Sequence, residues 1–222
     1  GEFGPDVCVD FIEKFLEANK DESFFVYYPM ILPHCPFVPT PGTPDYDPNS
    51  PGSPTYKGDA KYFKNMVEHV DQLVGRIASK VDELGLSENT LIVFTGDNGT
   101  DVPVVTSLNG KSVAGGKGKA NHDSGVRTPF FVTMPGTVQA GKVSDELVDF
   151  SDLLPTFCEL AKIDTSENKN LDGVSLLPTL IGKGERKKPW SYLFYSRNDA
   201  TQPASSVVVR NATHLVYRKG GP

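Results

Sequence analysis

The sequence predicts an α/β fold: a mostly parallel sheet flanked by helices, with a small antiparallel sheet near the C-terminal end. Three observations carry this reading. A β-forming run, Phe24-Phe25-Val26-Tyr27-Tyr28, precedes a long amphipathic stretch, Gly58 to Leu84, which leads into the bare apolar run Leu91-Ile92-Val93-Phe94. Strand, long crossover and strand is the parallel βαβ unit, expected to be right-handed. Late in the chain, Val207 to Arg210 and His214 to Tyr217 flank Asn211-Ala212-Thr213, the pattern of a hairpin. The boundary between the two parts is expected near residue 188, giving an α/β domain over 1–188 and a small antiparallel subdomain from 189 to 222.

The bulk properties set bounds. The 222 residues, 38% hydrophobic, are enough for one large α/β domain or a domain with an appendage. A net charge of −6 argues against nucleic acid as the main partner. It leaves room for an anionic small substrate in a local cationic pocket. No apolar run reaches the length of a membrane span. Gly1 carries neither an initiator Met nor a signal-peptide pattern, so the chain is expected to begin after processing, cleavage or truncation. Cys8, Cys35 and Cys158 show no CxxC spacing and read as small buried hydrophobes.

In chain order, Val7 to Lys20 reads as a helix, with Asp6 near its N-cap and Cys8, Ile12, Phe15 and Leu16 on one face. Ser23 to Tyr28 follows as a strand. Nine of the chain's 18 prolines then fall between Pro29 and Pro54, which excludes helix and central strand. This segment is too long for a plain connector and reads as a functional loop or a surface wrap. The Gly58–Leu84 helix has an apolar stripe running from Phe63 through Met66, Val70 and Leu73 to Val81, and Gly85 ends it as a C-cap residue. Ser151 to Ile163 reads as a helix with Pro155 in its first turn. Leu171 to Ser175 forms a turn into a short helix ending near Gly182. Lys183 to Lys188 reads as a charged loop, and Trp190 to Tyr195 as a strand.

The chemistry-bearing residues cluster around the two central apolar runs. Leu91 to Phe94 breaks into Thr95-Gly96-Asp97-Asn98-Gly99-Thr100. Polar residues released past a strand end are where open α/β sheets place their ligands. Asp97 and Asn98 offer two hard oxygen donors side by side, suited to a cation such as Ca²⁺. Asp-Asn-Gly is also ordinary turn chemistry, and the tripeptide alone does not decide. Gly115-Gly116-Lys117-Gly118-Lys119 follows, then His122 to Pro129 and the run Phe130 to Val132. Glycines beside Lys117 permit a tight turn that lets the ammonium reach an anion, although either lysine could equally be a solvated loop charge. His34, between Pro33 and Cys35-Pro36, is either a surface-loop residue or an imidazole placed to bind an anion or protonate a leaving group. A divalent cation, a lysine and a histidine around a tetrahedral oxyanion is chemistry for a sulfate or phosphate ester.

These stretches together resemble the sulfatase family of the alkaline-phosphatase-like superfamily. The matching segments are Gly4-Pro5-Asp6, Phe24 to Pro29 with Pro33-His34, Phe94 to Gly99, Gly115 to Gly118, Gly125-Val126-Arg127-Thr128-Pro129, Ser151 to Thr156 and Asp172 to Ser175. Ordered matches span nearly the whole chain. The resemblance implies a sulfuric ester hydrolase with Asp97 and Asn98 as Ca²⁺ ligands and His34 and Lys117 at the sulfate group. It implies a sulfate ester substrate, of a carbohydrate or an aryl alcohol, and an exported protein, periplasmic, extracellular or lysosomal.

The departures are specific. Sulfatases place a Cys or Ser in C/S-x-P-x-R, where oxidation makes the formylglycine nucleophile. Here no Cys or Ser has Pro two positions on, and no Asp-Asp pair is present to complete the family's metal site. Calcium takes about 6–8 oxygen ligands, more than two side chains supply. The chain is therefore expected to be the C-terminal part of a sulfatase, incomplete as a fold, inactive alone and partnered by the missing N-terminal portion of the same protein. A phosphoester or phosphonate hydrolase of the same superfamily, and a noncatalytic fragment, are the alternatives. The spacing to Arg127 fits Lys117 and Lys119 equally badly. Glycines on both sides favour Lys117.

Overall fold

A computed structural model describes residues 2–119, 121–168, 170–184, 186–195 and 206–219. The chain divides into two compact units, Gly1–Ile92 with Asp101–Ala114, and Val93–Thr100 with Gly115–Pro222. Among the described residues no helix is long and apolar enough to cross a membrane.

The first unit is built on a helix pair. Helix α1 (Gly4–Ala18) starts with Pro5 in its first turn and buries Pro5, Val9, Ile12 and Leu16. Those positions are four, three and four apart, one continuous helical face. The expected face was rotated: Cys8 is exposed and Val9 takes the buried place. Helix α2 (Phe63–Glu83) follows a one-turn helix at Ala60–Tyr62 and buries Met66, His69, Val70, Leu73 and Val81. Gly85, with φ +70°, ends it as expected. Ile12, Leu16 and Val81 form the centre of a cluster that Phe15, Phe24, Tyr28, Ile77, Leu84, Leu86 and Ile92 complete. Arg76 of α2 clamps α1, with Nη2 2.6 Å from Asp10 and 2.7 Å from Glu13. His69 Nε2 lies 2.8 Å from Asp6 Oδ2.

Two expectations for this unit need correction. Ser23 to Tyr28 joins no ladder among the described residues. Phe24 and Tyr28 turn inward onto the helical cluster, while Tyr27 stays 80% exposed. β-Propensity sets an extended backbone, but a ladder needs a neighbouring strand. The polar residues after Thr100 also contain an unforeseen hairpin, β2 to β3. Its first member in the chain order is preceded by β1 (Ile92–Thr95), and the pair itself is β2 (Val105–Leu108) and β3 (Lys111–Ala114), antiparallel. Asn109 and Gly110 make the turn at φ 51° and 76°. That is the two-residue Asn-Gly turn whose twist matches paired strands. The Pro-rich loop is closed at its base: Phe37 N donates to Lys57 O at 2.8 Å, and Asp59 N to Phe37 O at 3.0 Å.

In the second unit α3 (Asp123–Val126) is a single turn, and β4 (Phe130–Thr133) pairs with β1. A one-turn helix at Phe150–Asp152 runs into α4 (Leu153–Leu160), and α5 (Leu177–Leu180) is a single turn. The C-terminal sheet is as expected: β5 (Ser191–Tyr195), β6 (Ser206–Arg210) and β7 (Leu215–Lys219) are antiparallel in that order.

The segment expected to be a charged loop is a loop, but two of its charges are buried. The side chains of Arg186 and Lys188 are 1% and 5% exposed, and that of Asp152 is fully buried. Lys188 Nζ sits 2.7 Å from Asp149 and 2.6 Å from Asp152. Arg186 reaches Asp152 at 3.1 Å and Glu146 at 3.1 Å, and donates to the carbonyls of Val174 and Leu147. Asp149 N donates to Asp152 Oδ2, and Ser151 N to Asp149 Oδ1, which is a capping box. Asp152 Oδ1 takes Val174 N at 2.8 Å, and Thr156 Oγ1 takes Leu176 N at 2.8 Å. Burial pushes the Asp149 carboxyl up, but Lys188, the Ser151 hydroxyl and Tyr192 N–H together outweigh it and hold the group below the usual carboxylate value.

A group lowered in the folded state stabilises above its unfolded value, about 3.9 for Asp, and loses that contribution as pH falls through the folded value. Lys188→Met leaves buried Asp149 without its cation and Asp152 with Arg186 alone, at an expected cost of about 3–5 kcal/mol at neutral pH. Urea unfolding followed as a function of pH checks both points. The wild type is expected to hold its stability until the pH drops below about 4. The variant should start weaker and regain part of the difference as acid neutralises the carboxylates.

Candidate functional site

The second unit assembles the residues around Asp97 by packing glycines. Thr95 ends β1, and Gly96 passes Thr128 and Pro129 at the start of β4, where a Cβ on Gly96 would lie 3.4 Å from Thr128 Cβ. Asp97 follows, exposed, then Asn98, half-buried. Gly99 is buried and donates its N–H to Gly125 O at 2.9 Å. A Cβ there would stand 2.0 Å from Ser124 O. Thr100 O accepts the N–H groups of both Gly116 and Lys117 at 2.9 Å. A Cβ on Gly116 would stand 2.1 Å from Ser124 Oγ, and one on Gly125 2.3 Å from Lys119 O. Three backbone segments thus meet at van der Waals range with no room for side chains.

This knot fixes the Asp97-Asn98 turn relative to the Lys117 turn. Lys117 is half-buried, Gly118 adopts φ +86°, and Lys119 is exposed with its carbonyl bonded by His122 N at 3.1 Å. Among the described residues the side chains of Asp97 and Asn98 make no hydrogen bond or ion pair within the protein. They are the polar groups this knot leaves available to a ligand. The sequence reading gave the glycines to turn formation. Only Gly118 uses a positive φ, while Gly99, Gly116 and Gly125 are there for close approach.

His34 belongs to the first unit. It lies between cis peptide bonds at Leu32–Pro33 and Cys35–Pro36, with its ring exposed and Nδ1 2.6 Å from Cys35 O. A carbonyl only accepts, so Nδ1 carries a proton toward Cys35 O, and Nε2 is the ring nitrogen left to face a ligand.

The donor set for a divalent ion is short. Among the described residues no three His, Cys, Asp or Glu side chains group closely enough to hold a metal. Two oxygens from Asp97 and Asn98 fall well below the about 6–8 that Ca²⁺ takes. The described residues do not by themselves fit the ion.

The sulfatase family model matches residues 5–163. The chain belongs to the sulfatase family. The model for the C-terminal part of N-sulphoglucosamine sulphohydrolase matches residues 118–217. Dog N-acetylgalactosamine-6-sulfatase is 31% identical over 197 residues, which is 86% of this chain and 34% of that protein. Human steryl-sulfatase is 36% identical over 143 residues, 61% of this chain and 24% of that one. Among solved structures, Ps i-CgsB matches with a TM-score of 0.73 at 27% identity, covering 96% of this chain and 46% of the other. The chain thus spans about a third or less of these curated relatives, and about half of the solved Ps i-CgsB chain. The likeness to that structure supports the α/β class for this chain.

Signals for the missed features were in the sequence. Asn109-Gly110 between short β-forming runs marks a hairpin. Burial of the charges is different: Arg186 and Lys188 lie in the segment expected to be a charged loop, and no local pattern says that they, Asp149 and Asp152 are buried.

The steric reading of the knot predicts unequal glycine substitutions. Gly99→Ala drives a methyl into the backbone of Ser124 and Gly125, and is expected to cost about 3 kcal/mol with loss of amide protection over 115–127. Gly118→Ala meets no atom within 4 Å and carries only the positive φ, expected to cost about 1 kcal/mol. Hydrogen exchange with urea unfolding of the two variants measures the difference. Equal costs would remove the steric argument.

Proposed function

We propose that this chain is the part of a sulfuric ester hydrolase that carries the anion-binding lysine and two of the cation ligands, and that it does not turn over substrate alone. The observation that supports this most directly is the glycine knot, which ties the Lys117 backbone to Thr100 in the turn that carries Asp97 and Asn98 past the end of β1. Such an arrangement presents a cation and hard oxygen donors to one tetrahedral anion. In this reading Asp97 and Asn98 contribute to a Ca²⁺ site that needs further ligands. The Lys117 ammonium draws charge from the sulfate oxygens as negative charge develops. His34 protonates the departing alkoxide. The attacking group, a formylglycine in the family, has no counterpart in C/S-x-P-x-R form here.

The substrate class we favour is a sulfated carbohydrate. The N-acetylgalactosamine-6-sulfatase alignment reaches over most of the chain, and the N-sulphoglucosamine sulphohydrolase model covers the C-terminal part. We also read the protein as exported, in keeping with the family.

Two measurements test the proposal. The purified chain is expected to hydrolyse neither a chromogenic aryl sulfate nor an aryl phosphate, because an oriented nucleophile is absent. Its calorimetric Ca²⁺ titration should show weak binding only. Sulfate turnover that persists through repurification, or tight stoichiometric calcium binding, would overturn the reading.

The lysine assignment is tested in the full-length enzyme. Lys117→Ala removes a cation from the developing oxyanion, at an expected cost of about 3 kcal/mol in kcat/KM. Lys119→Ala removes an exposed charge and should cost under about 0.5 kcal/mol. The opposite order would assign the anion to Lys119.

A further inference from the structure

We propose that Asn211 is an acceptor for an N-linked glycan, a reading that rests on export of the protein. Asn211-Ala212-Thr213 has the Asn-x-Thr pattern that oligosaccharide transfer requires, with no proline in the middle. The fold puts these three residues in the turn between β6 and β7, where Ala212 and Thr213 are exposed. Asn211 N donates to His214 O at 2.9 Å. Its side-chain Oδ1 accepts from Thr213 N at 2.9 Å, Thr213 Oγ1 at 3.3 Å and His214 N at 2.7 Å. Among the described residues every hydrogen bond of the carboxamide falls on the oxygen. Nδ2, the atom that takes the sugar, is left uncommitted, and the Thr213 hydroxyl contacts the same carboxamide.

The transfer balances without an oxidant or reductant. Nδ2 forms a bond to the anomeric carbon of a lipid-pyrophosphate-linked oligosaccharide. The bond from that carbon to the pyrophosphate oxygen breaks, the lipid pyrophosphate leaves, and Nδ2 loses one proton. The turn also lines a cleft of ≈ 350 Å³ with Glu146, Arg186 and Lys188.

The sequence holds a second such pattern, Asn98-Gly99-Thr100, and the fold treats it differently. Asn98 is half-buried, Gly99 has no room for a methyl against Ser124, and Thr100 O holds the Gly116 and Lys117 amides. The Asn98 turn is locked into backbone packing at Gly99 and Thr100, and the function proposed above uses its side chain, so Asn98 is expected to be bare.

The test is site mapping on the chain secreted from insect cells behind a cleavable leader. Peptide-N-glycosidase treatment in oxygen-18 water, followed by mass spectrometry, converts each glycosylated Asn to labelled Asp. The expected result is label at Asn211 in most molecules and none at Asn98. Thr213→Ala should abolish the label, and Thr213→Ser should keep it at reduced occupancy. Secreted wild-type chain with Asn211 unlabelled overturns the proposal, whatever the variants do. Label at Asn98 in secreted, folded chain overturns the contrast between the two turns. Fractionation of the source cells tests the premise by itself: a cytosolic protein defeats export, whereas an exported protein bare at Asn211 defeats the site.

Discussion

The second unit depends on a carboxylate that never meets water. Asp152 is fully buried, and its two oxygens are shared among Lys188, Arg186, Val174 N and Asp149 N. An isolated carboxylate in that place would cost many kcal/mol, so the group persists only because every lone pair is used. The consequence is architectural. One side chain ties the start of α4 to the 172–176 turn, to the 186–188 segment and, through Lys188 and Asp149, to Tyr192 N at the head of the C-terminal sheet. Gly173 completes the joint, since a Cβ there would stand 1.9 Å from Ser151 O. Two family segments that are distant in sequence, Ser151 to Thr156 and Asp172 to Ser175, prove to be two halves of one packed contact.

Much of the fold could be read from the residues alone. The α2 stripe, its Gly85 stop, β1, the helix at Ser151 and the C-terminal hairpin all follow from local period and turn chemistry, which act over a few residues. The failures share one cause. Ser23 to Tyr28 has the right residues for a strand, but pairing is decided by a neighbour and not by the segment. Lys183 to Lys188 has the composition of a solvated loop, but burial of Arg186 and Lys188 is decided by carboxylates about 35 residues earlier. Cys8 and Val9 exchange roles because a helix face shifts with its partner, and Arg76 fixes α1 from outside α1.

The candidate site was legible in part for the same reason. Asp97 and Asn98 could be placed at a strand end, because a short apolar run and the turn that breaks it are local signals. The role of the glycines could not. Gly99, Gly116 and Gly125 look like turn residues in the sequence, and their real function, to let three backbones touch, exists only when all three segments are present.

Motif matching alone does not separate residues that build the fold from residues that perform chemistry. Asp152 and Asp97 both lie in segments that carry the family resemblance, and both are aspartates beside a backbone turn. Their surroundings separate them. Asp152 is buried with all of its capacity consumed by the protein, so removing it attacks folding. Asp97 is exposed, and Asn98 beside it half-buried, on a backbone that three glycines hold rigid. A rigid support under uncommitted donors is the arrangement in which free energy of packing is turned into preorganised binding. The two cations divide in the same way. Lys188 is neutralised by two carboxylates and has no charge left to offer a substrate, whereas Lys117 has its backbone fixed to Thr100 and its ammonium unpaired among the described residues. In a chain with a net charge of −6, the anionic substrate proposed above would be drawn by local charge, and Lys117 is one such charge left unpaired among the described residues.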